Sequence, residues 1–107
     1  MAGAKLIVIY PHPADVEMFE KFHEQEQLPK AIEKLPGKTK IVATKVLASP
    51  DKTAPFYRIT EIHFPSMEAL EACVASNGGQ ETLAHAVFIS LGGDPIFLIA
   101  EEETLTF

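Results

Sequence analysis

At 107 residues, with a formal net charge of −6 and 47% hydrophobic residues, the chain has the size and composition of one globular domain, residues 1–107. Its 9 basic residues are scattered rather than clustered, which argues against a nucleic-acid partner. A lone cysteine, Cys73, excludes an internal disulfide framework and zinc sites built on paired cysteines. No run approaches the roughly 20 apolar residues of a membrane span, so no membrane partner is expected. The apolar run near the N-terminus is too short for a signal-peptide core, and a reducing, cytoplasmic setting is the expectation.

Residues 6–10 (Leu-Ile-Val-Ile-Tyr) form a continuous apolar run, the pattern of a strand covered on both faces, and Pro11-His12-Pro13 ends it. Asp15 offers a helix N-cap, with Glu17 in the first turn where the helix dipole favours an acid. A first helix is expected over about 16–27. Pro29 should kink or interrupt it before a further turn through Ala31, Ile32 and Leu35, and Pro36-Gly37 stops it. Residues 41–47 read as an edge strand guarded by Lys40 and Lys45. A turn-rich loop at 49–53 leads to a third, aromatic and β-branched strand at 56–64, expected to be central. Ser66 caps a second helix with Met67, Leu70, Cys73 and Val74 on one face, which Asn77-Gly78-Gly79 should break. A further helical segment at 83–91 is closed by Gly92-Gly93, and the last strand, 96–100, runs out into Glu101-Glu102-Glu103.

That order is a split β-α-β unit repeated once, which predicts an α+β fold: a four-stranded antiparallel sheet with its helices on one face. The other face would then lie bare although the strands are apolar on both sides. A second copy packed sheet to sheet is the economical cover, so a homodimer through the open face is expected.

Several motifs resemble the EthD family: Tyr10-Pro11-His12-Pro13, Leu28-Pro29, Leu35-Pro36-Gly37, the strand Phe56-Tyr57-Arg58-Ile59-Thr60-Glu61-Ile62-His63-Phe64, and Ala75-Ser76-Asn77-Gly78-Gly79-Gln80. The resemblance spans nearly the whole chain in order. It implies a dimeric α+β barrel of two ferredoxin-like protomers, each with a cleft between sheet and helices, and it implies no particular activity. The chain departs from that family's pattern at two positions. Members often carry His-Xaa-Pro where this chain has Gln27-Leu28-Pro29, and many have Asp where it has His85.

Candidate site residues are ionisable groups on faces that otherwise look apolar. At 100° per residue, Val16, Met18, Phe19 and Phe22 define an apolar sector that contains His23 and Glu26, with Gln27 at its margin. His23 and Glu26 are three apart and can meet as an acid–base pair; alternatively, Glu26 emerges at the helix end and His23 caps the core. On the third strand, alternation puts Tyr57, Ile59, Glu61 and His63 on one face. Glu61, with His63 or Tyr57, either lines the cleft or belongs to a structural hydrogen-bond network, since a buried carboxylate needs a partner. His85 lies on a nearly all-apolar helix, as a polar rim or as an axial haem ligand of the kind known among haem-degrading members of the wider superfamily. No HExxH-like spacing exists, so no dedicated metal site and no cofactor are expected. His23, Glu26, Glu61 and His63 are thus the catalytic candidates, and Tyr57, Gln27 and His85 the ligand-binding ones. The expected ligand is a small, fairly apolar organic molecule between helices and sheet. The expected use is cofactor-independent isomerase, cyclase or monooxygenase chemistry, or binding without catalysis.

Overall fold

The computed structural model describes residues 3–51 and 54–107; Lys52 and Thr53 of the 49–53 loop lie outside them. The chain order is β1 (Gly3–Pro11), α1 (Val16–Phe22), a π-helical turn (His23–Gln27), α2 (Leu28–Lys34), β2 (Lys40–Lys45), β3 (Phe56–Phe64), α3 (Met67–Ala75), α4 (Asn77–Ile89) and β4 (Ile96–Glu102). The four strands form one antiparallel sheet in the order β2-β3-β1-β4. This is the ferredoxin-like arrangement, with β2 at an edge, β3 central and the helices on one face.

Burial in β1 alternates strictly: Ala4, Leu6, Val8 and Tyr10 are buried, while Lys5, Ile7 and Ile9 are only half-covered. The buried set packs in two clusters. Ala4, Leu6, Ile62 and Phe64 meet Ala31, Leu35, Leu70 and Cys73 at one end. Val8, Tyr10 and Tyr57 meet Phe19, Ala86 and Ile89 at the other. Cross-strand partners share a face, so the open face carries Ile7 and Ile9 with Ile59, Ile96 and Leu98. Strand β1 is therefore covered on one side only by its own chain.

The helix after β1 runs from Val16 to Lys34 and is widened at its middle, where the Leu28 N–H reaches back five residues to the His23 carbonyl. Pro29 explains this. Proline brings no N–H, and its ring crowds the carbonyl four residues back, so the preceding turn opens instead of the helix ending. The consequence is a row of buried side chains at four-residue steps: Phe19, His23, Gln27, Ala31 and Leu35. In an unbroken α-helix such a row would drift by about 40° per step. One extra residue in a turn takes back much of that drift. The apolar sector drawn at a uniform 100° is thereby corrected: Val16, Met18 and Glu26 are exposed, and Gln27 is inside.

Two boundaries also differ from expectation. The break between α3 and α4 is Ser76, not the glycine pair; its hydroxyl accepts from the Gly79 N–H at 3.0 Å and donates to the Cys73 carbonyl at 2.6 Å. Helix α4 then begins at Asn77 rather than near residue 83. The glycines serve close packing: a Cβ on Gly78 would stand 2.0 Å from the Lys34 carbonyl oxygen. They let the start of α4 touch the end of α2.

Candidate functional site

The π turn and α4 bring together three polar residues that the sequence separates by nearly sixty positions. Gln27 is buried, and its amide nitrogen donates to the Thr82 carbonyl at 3.1 Å. That fixes the amide orientation, so its oxygen faces Nδ1 of His85 at 2.6 Å and accepts a hydrogen bond from it. Nδ1 therefore carries a proton. The other ring nitrogen, Nε2, lies 3.1 Å from Oε1 of Glu26. A carboxylate can only accept, so one proton is shared between Nε2 and Glu26, on either side of that contact. Glu26 and His85 line an open groove of about 410 Å³ between α2 and α4, together with Pro29, Lys30, Glu33 and Lys34. Such a layout suits proton exchange with a molecule in the groove.

Gln27 and His85, where the resemblance to the EthD family would imply His and Asp, touch each other. Single-residue comparison with the family pattern shows the two departures separately; only the fold joins them.

Of the two readings of His23 and Glu26, the acid–base pair is not the one the structure contains. Glu26 turns outward to His85, whereas His23 is 2% exposed, stacks on Phe19 (ring centroids 5.6 Å apart, 14° between planes) and meets Tyr10 edge-on at 5.9 Å. Its Nε2 has no hydrogen-bond partner among the described residues. Burial, and secondarily the nearby Arg58 guanidinium, pushes its pKa down to about 4, so the ring is neutral at physiological pH. The space over this part of the sheet is filled by Phe19, Tyr10 and Tyr57 in edge contacts of 5.1 and 5.7 Å.

Strand β3 corrects two further expectations. Its register slips between Tyr10 and Pro11 of β1, which leaves Tyr57 as the extra residue of a β-bulge. Tyr57 thus turns to the helices instead of joining Glu61 and His63. Beside it Arg58 forms a bidentate pair with Glu20 of α1, at 3.1 and 2.7 Å, which holds the Glu20 carboxyl below its usual range. Glu61 and His63 lie on the open sheet face, not in the helix–sheet cleft. There Glu61 accepts from Lys5 at 2.5 Å, Lys5 also reaches Glu102 at 3.3 Å, and His63 Nδ1 stands 3.7 Å from Glu102. The network reading of Glu61 describes this arrangement.

His85 as a haem ligand does not fit the geometry, because both ring nitrogens are engaged. Lys30 and Lys34, which the sequence reading passed over, line the groove; their signal was four-residue spacing from Glu26. Among the described residues no helix is long and apolar enough to cross a membrane.

No family model and no curated protein sequence matches the chain. Solved structures do. An EthD family protein from Bacillus halodurans is 24% identical, with a TM-score of 0.88 over 96% of this chain and 100% of that one. A hydroxynitrile lyase from Passiflora edulis is 14% identical, with a TM-score of 0.72 over 97% of this chain and 96% of that one. A dimeric ferredoxin-like protein of unknown function from Jannaschia is 17% identical, with a TM-score of 0.65 over 97% and 100%. The EthD resemblance carried by the sequence motifs thus has a structural counterpart, and over 96% of its length this chain has the ferredoxin-like α+β fold of an EthD family protein.

Proposed function

We propose that this chain is an EthD-like, cytoplasmic homodimer that binds a small organic molecule in the groove between α2 and α4 and moves a proton on it without a cofactor. The observation that carries this is the hydrogen-bonded series Glu26–His85–Gln27–Thr82, which ends at an open groove. One imidazole nitrogen is locked as a donor while the other shares its proton with a carboxylate, the arrangement general acid–base catalysis needs. Isomerase or cyclase chemistry at an activated carbonyl fits it best. The hydroxynitrile lyase neighbour supports the view that this scaffold accommodates catalysis. Glu26, Lys30, Glu33 and Lys34 place charged ends around the groove beside the apolar surface of their stems and Pro29, so the ligand carries polar groups as well as apolar ones.

The dimeric Jannaschia neighbour supports association. So does the apolar strip Ile7, Ile9, Ile59 and Leu98 on the open sheet face, which a second copy would cover. The single buried thiol of Cys73 agrees with a reducing compartment.

A non-catalytic binding protein is the second reading, favoured by the aromatic filling above the sheet centre and by the amide at position 27. One experiment separates the two. Activated carbonyl compounds are incubated with the protein in D2O, and loss of their C–H signals is followed by NMR. Acceleration that vanishes in Glu26→Gln and His85→Asn, while light scattering still gives twice 11.7 kDa, establishes the catalytic reading. Equal exchange in the variants, or none with any compound, leaves a binding protein.

A further inference from the structure

The two edges of the sheet are finished differently. At the β2 edge, Lys40 and Lys45 stand exposed at the two ends of the strand, a common guard against pairing with another chain. The β4 edge has no such guard: Ile96, Phe97, Leu98 and Ile99 follow one another, and all four are exposed. Among the described residues β4 pairs with β1 alone, so its outer edge has no strand beside it.

A second sheet laid on the open face would cover only half of this run. Ile96 and Leu98 pair with Ile9 and Ile7 and share the open face. Phe97 and Ile99 pair with Val8 and Leu6 and therefore face the helix side. The helices leave them uncovered there. Helix α4 packs over β1 through Ala86 and Ile89, no β4 residue joins either core cluster, and Phe97 and Ile99 stay 37% and 58% exposed.

The chain itself carries a segment of matching chemistry. Beyond β4 come Glu103, Thr104, Leu105, Thr106 and Phe107, in which Leu105 is 73% exposed and Phe107 wholly so. Two residues apart, these side chains fall on one side of an extended segment. Folding back onto its own β4 would need a tight turn at Glu103-Thr104, where hairpins favour Gly, Asn or Asp with positive φ. Among the described residues only Gly37 and Gly93 have that conformation. Five extended residues span roughly 17 Å, whereas facing sheets stand about 10 Å apart, so the tail is long enough to cross to a second copy and round its edge.

Building on the homodimer reading above, we propose that each copy straps the other. The C-terminal tail crosses the second copy's β4 edge and seats Leu105 and Phe107 against Phe97 and Ile99 on the helix side. Sheet packing then covers Ile96 and Leu98, the tail covers the alternate residues, and the unguarded edge is closed.

Equal parts of carbon-13-labelled and unlabelled full-length chain are mixed for the test. Isotope-filtered NOEs read contacts between copies, and sedimentation gives the dimer dissociation constant. Leu105 and Phe107 should show NOEs to Phe97 and Ile99 of the other copy. The double variant Leu105→Ser, Phe107→Ser should weaken the dimer about a hundredfold, about tenfold for each of its two tails. Both side chains are exposed within one copy, so circular dichroism of the variant should match the wild type. Tail contacts confined to one copy, or a dissociation constant unchanged by the double variant, would overturn the strap and leave the homodimer standing. An intact chain that sediments at 11.7 kDa at every concentration would instead remove the homodimer reading, and the strap with it.

Discussion

Two histidines of the helix layer have opposite fates, and the contrast shows what turns an imidazole into a chemical group. His23 begins the π turn and points inward, packed between Phe19 and Tyr10 with Nε2 unpartnered. His85 sits at the rim of α4, with both nitrogens bonded and one edge on the groove. Burial alone made the first a neutral packing element, because desolvation penalises its charged form. Partners at the solvent edge gave the second a hydrogen-bonding contact at each nitrogen, with Gln27 and with Glu26.

The largest effect that tests this contrast is the acid sensitivity of His23. Its pKa falls from 6.5 to about 4 on folding. Between those values the unfolded chain binds more protons than the folded one, so stability falls as pH falls through that window and is flat above it. The full difference is on the order of 3 kcal/mol. Chemical denaturation at pH 7.5, 5.5 and 4.5 should show the loss, and His23→Phe should abolish most of its slope. An unchanged slope in the variant would mean that His23 is not the sensitive group.

Gly78→Ala comes next. The added Cβ would collide with the Lys34 carbonyl and push α4 from α2, at a cost of about 1–3 kcal/mol for overpacking. His85 should lose its contact with Gln27 while the His23 environment stays intact, a difference that imidazole NMR resolves. Gln27→Leu removes the lock on His85 at about 1 kcal/mol of stability. In nitrogen-15 spectra the ring should then populate both neutral tautomers, whereas the wild type keeps its proton on Nδ1. Glu26→Gln is the mildest: an edge contact costs under about 1 kcal/mol, so thermal unfolding should barely move. The His85 ring resonances should nevertheless move, since Nε2 loses its carboxylate partner, and unaltered resonances would separate Glu26 from His85.

Much of the fold was legible because local patterns and global topology agreed. The apolar runs at 6–10 and 96–100, the caps Asp15 and Ser66, and the turn at Pro36-Gly37, where Gly37 takes φ +82°, each marked an element the structure contains. The site was half legible. Glu26, Gln27 and His85 could be singled out as ionisable or amide groups on apolar faces, but nothing local said that they meet. Nor could alternation foresee the bulge that turns Tyr57 toward the helices, since a bulge is a property of two paired strands.

The sequence by itself determined the order of strands and helices, the apolar character of both sheet faces and a disturbance of the first helix at Pro29, because these follow from side-chain periodicity and from one missing N–H. Tertiary structure alone decided that Glu26 faces His85 rather than His23, and that Glu61 pairs with Lys5 on the open face. A one-residue change of phase, in the π turn or at the bulge, rotates every side chain beyond it, and only packing between elements selects that phase.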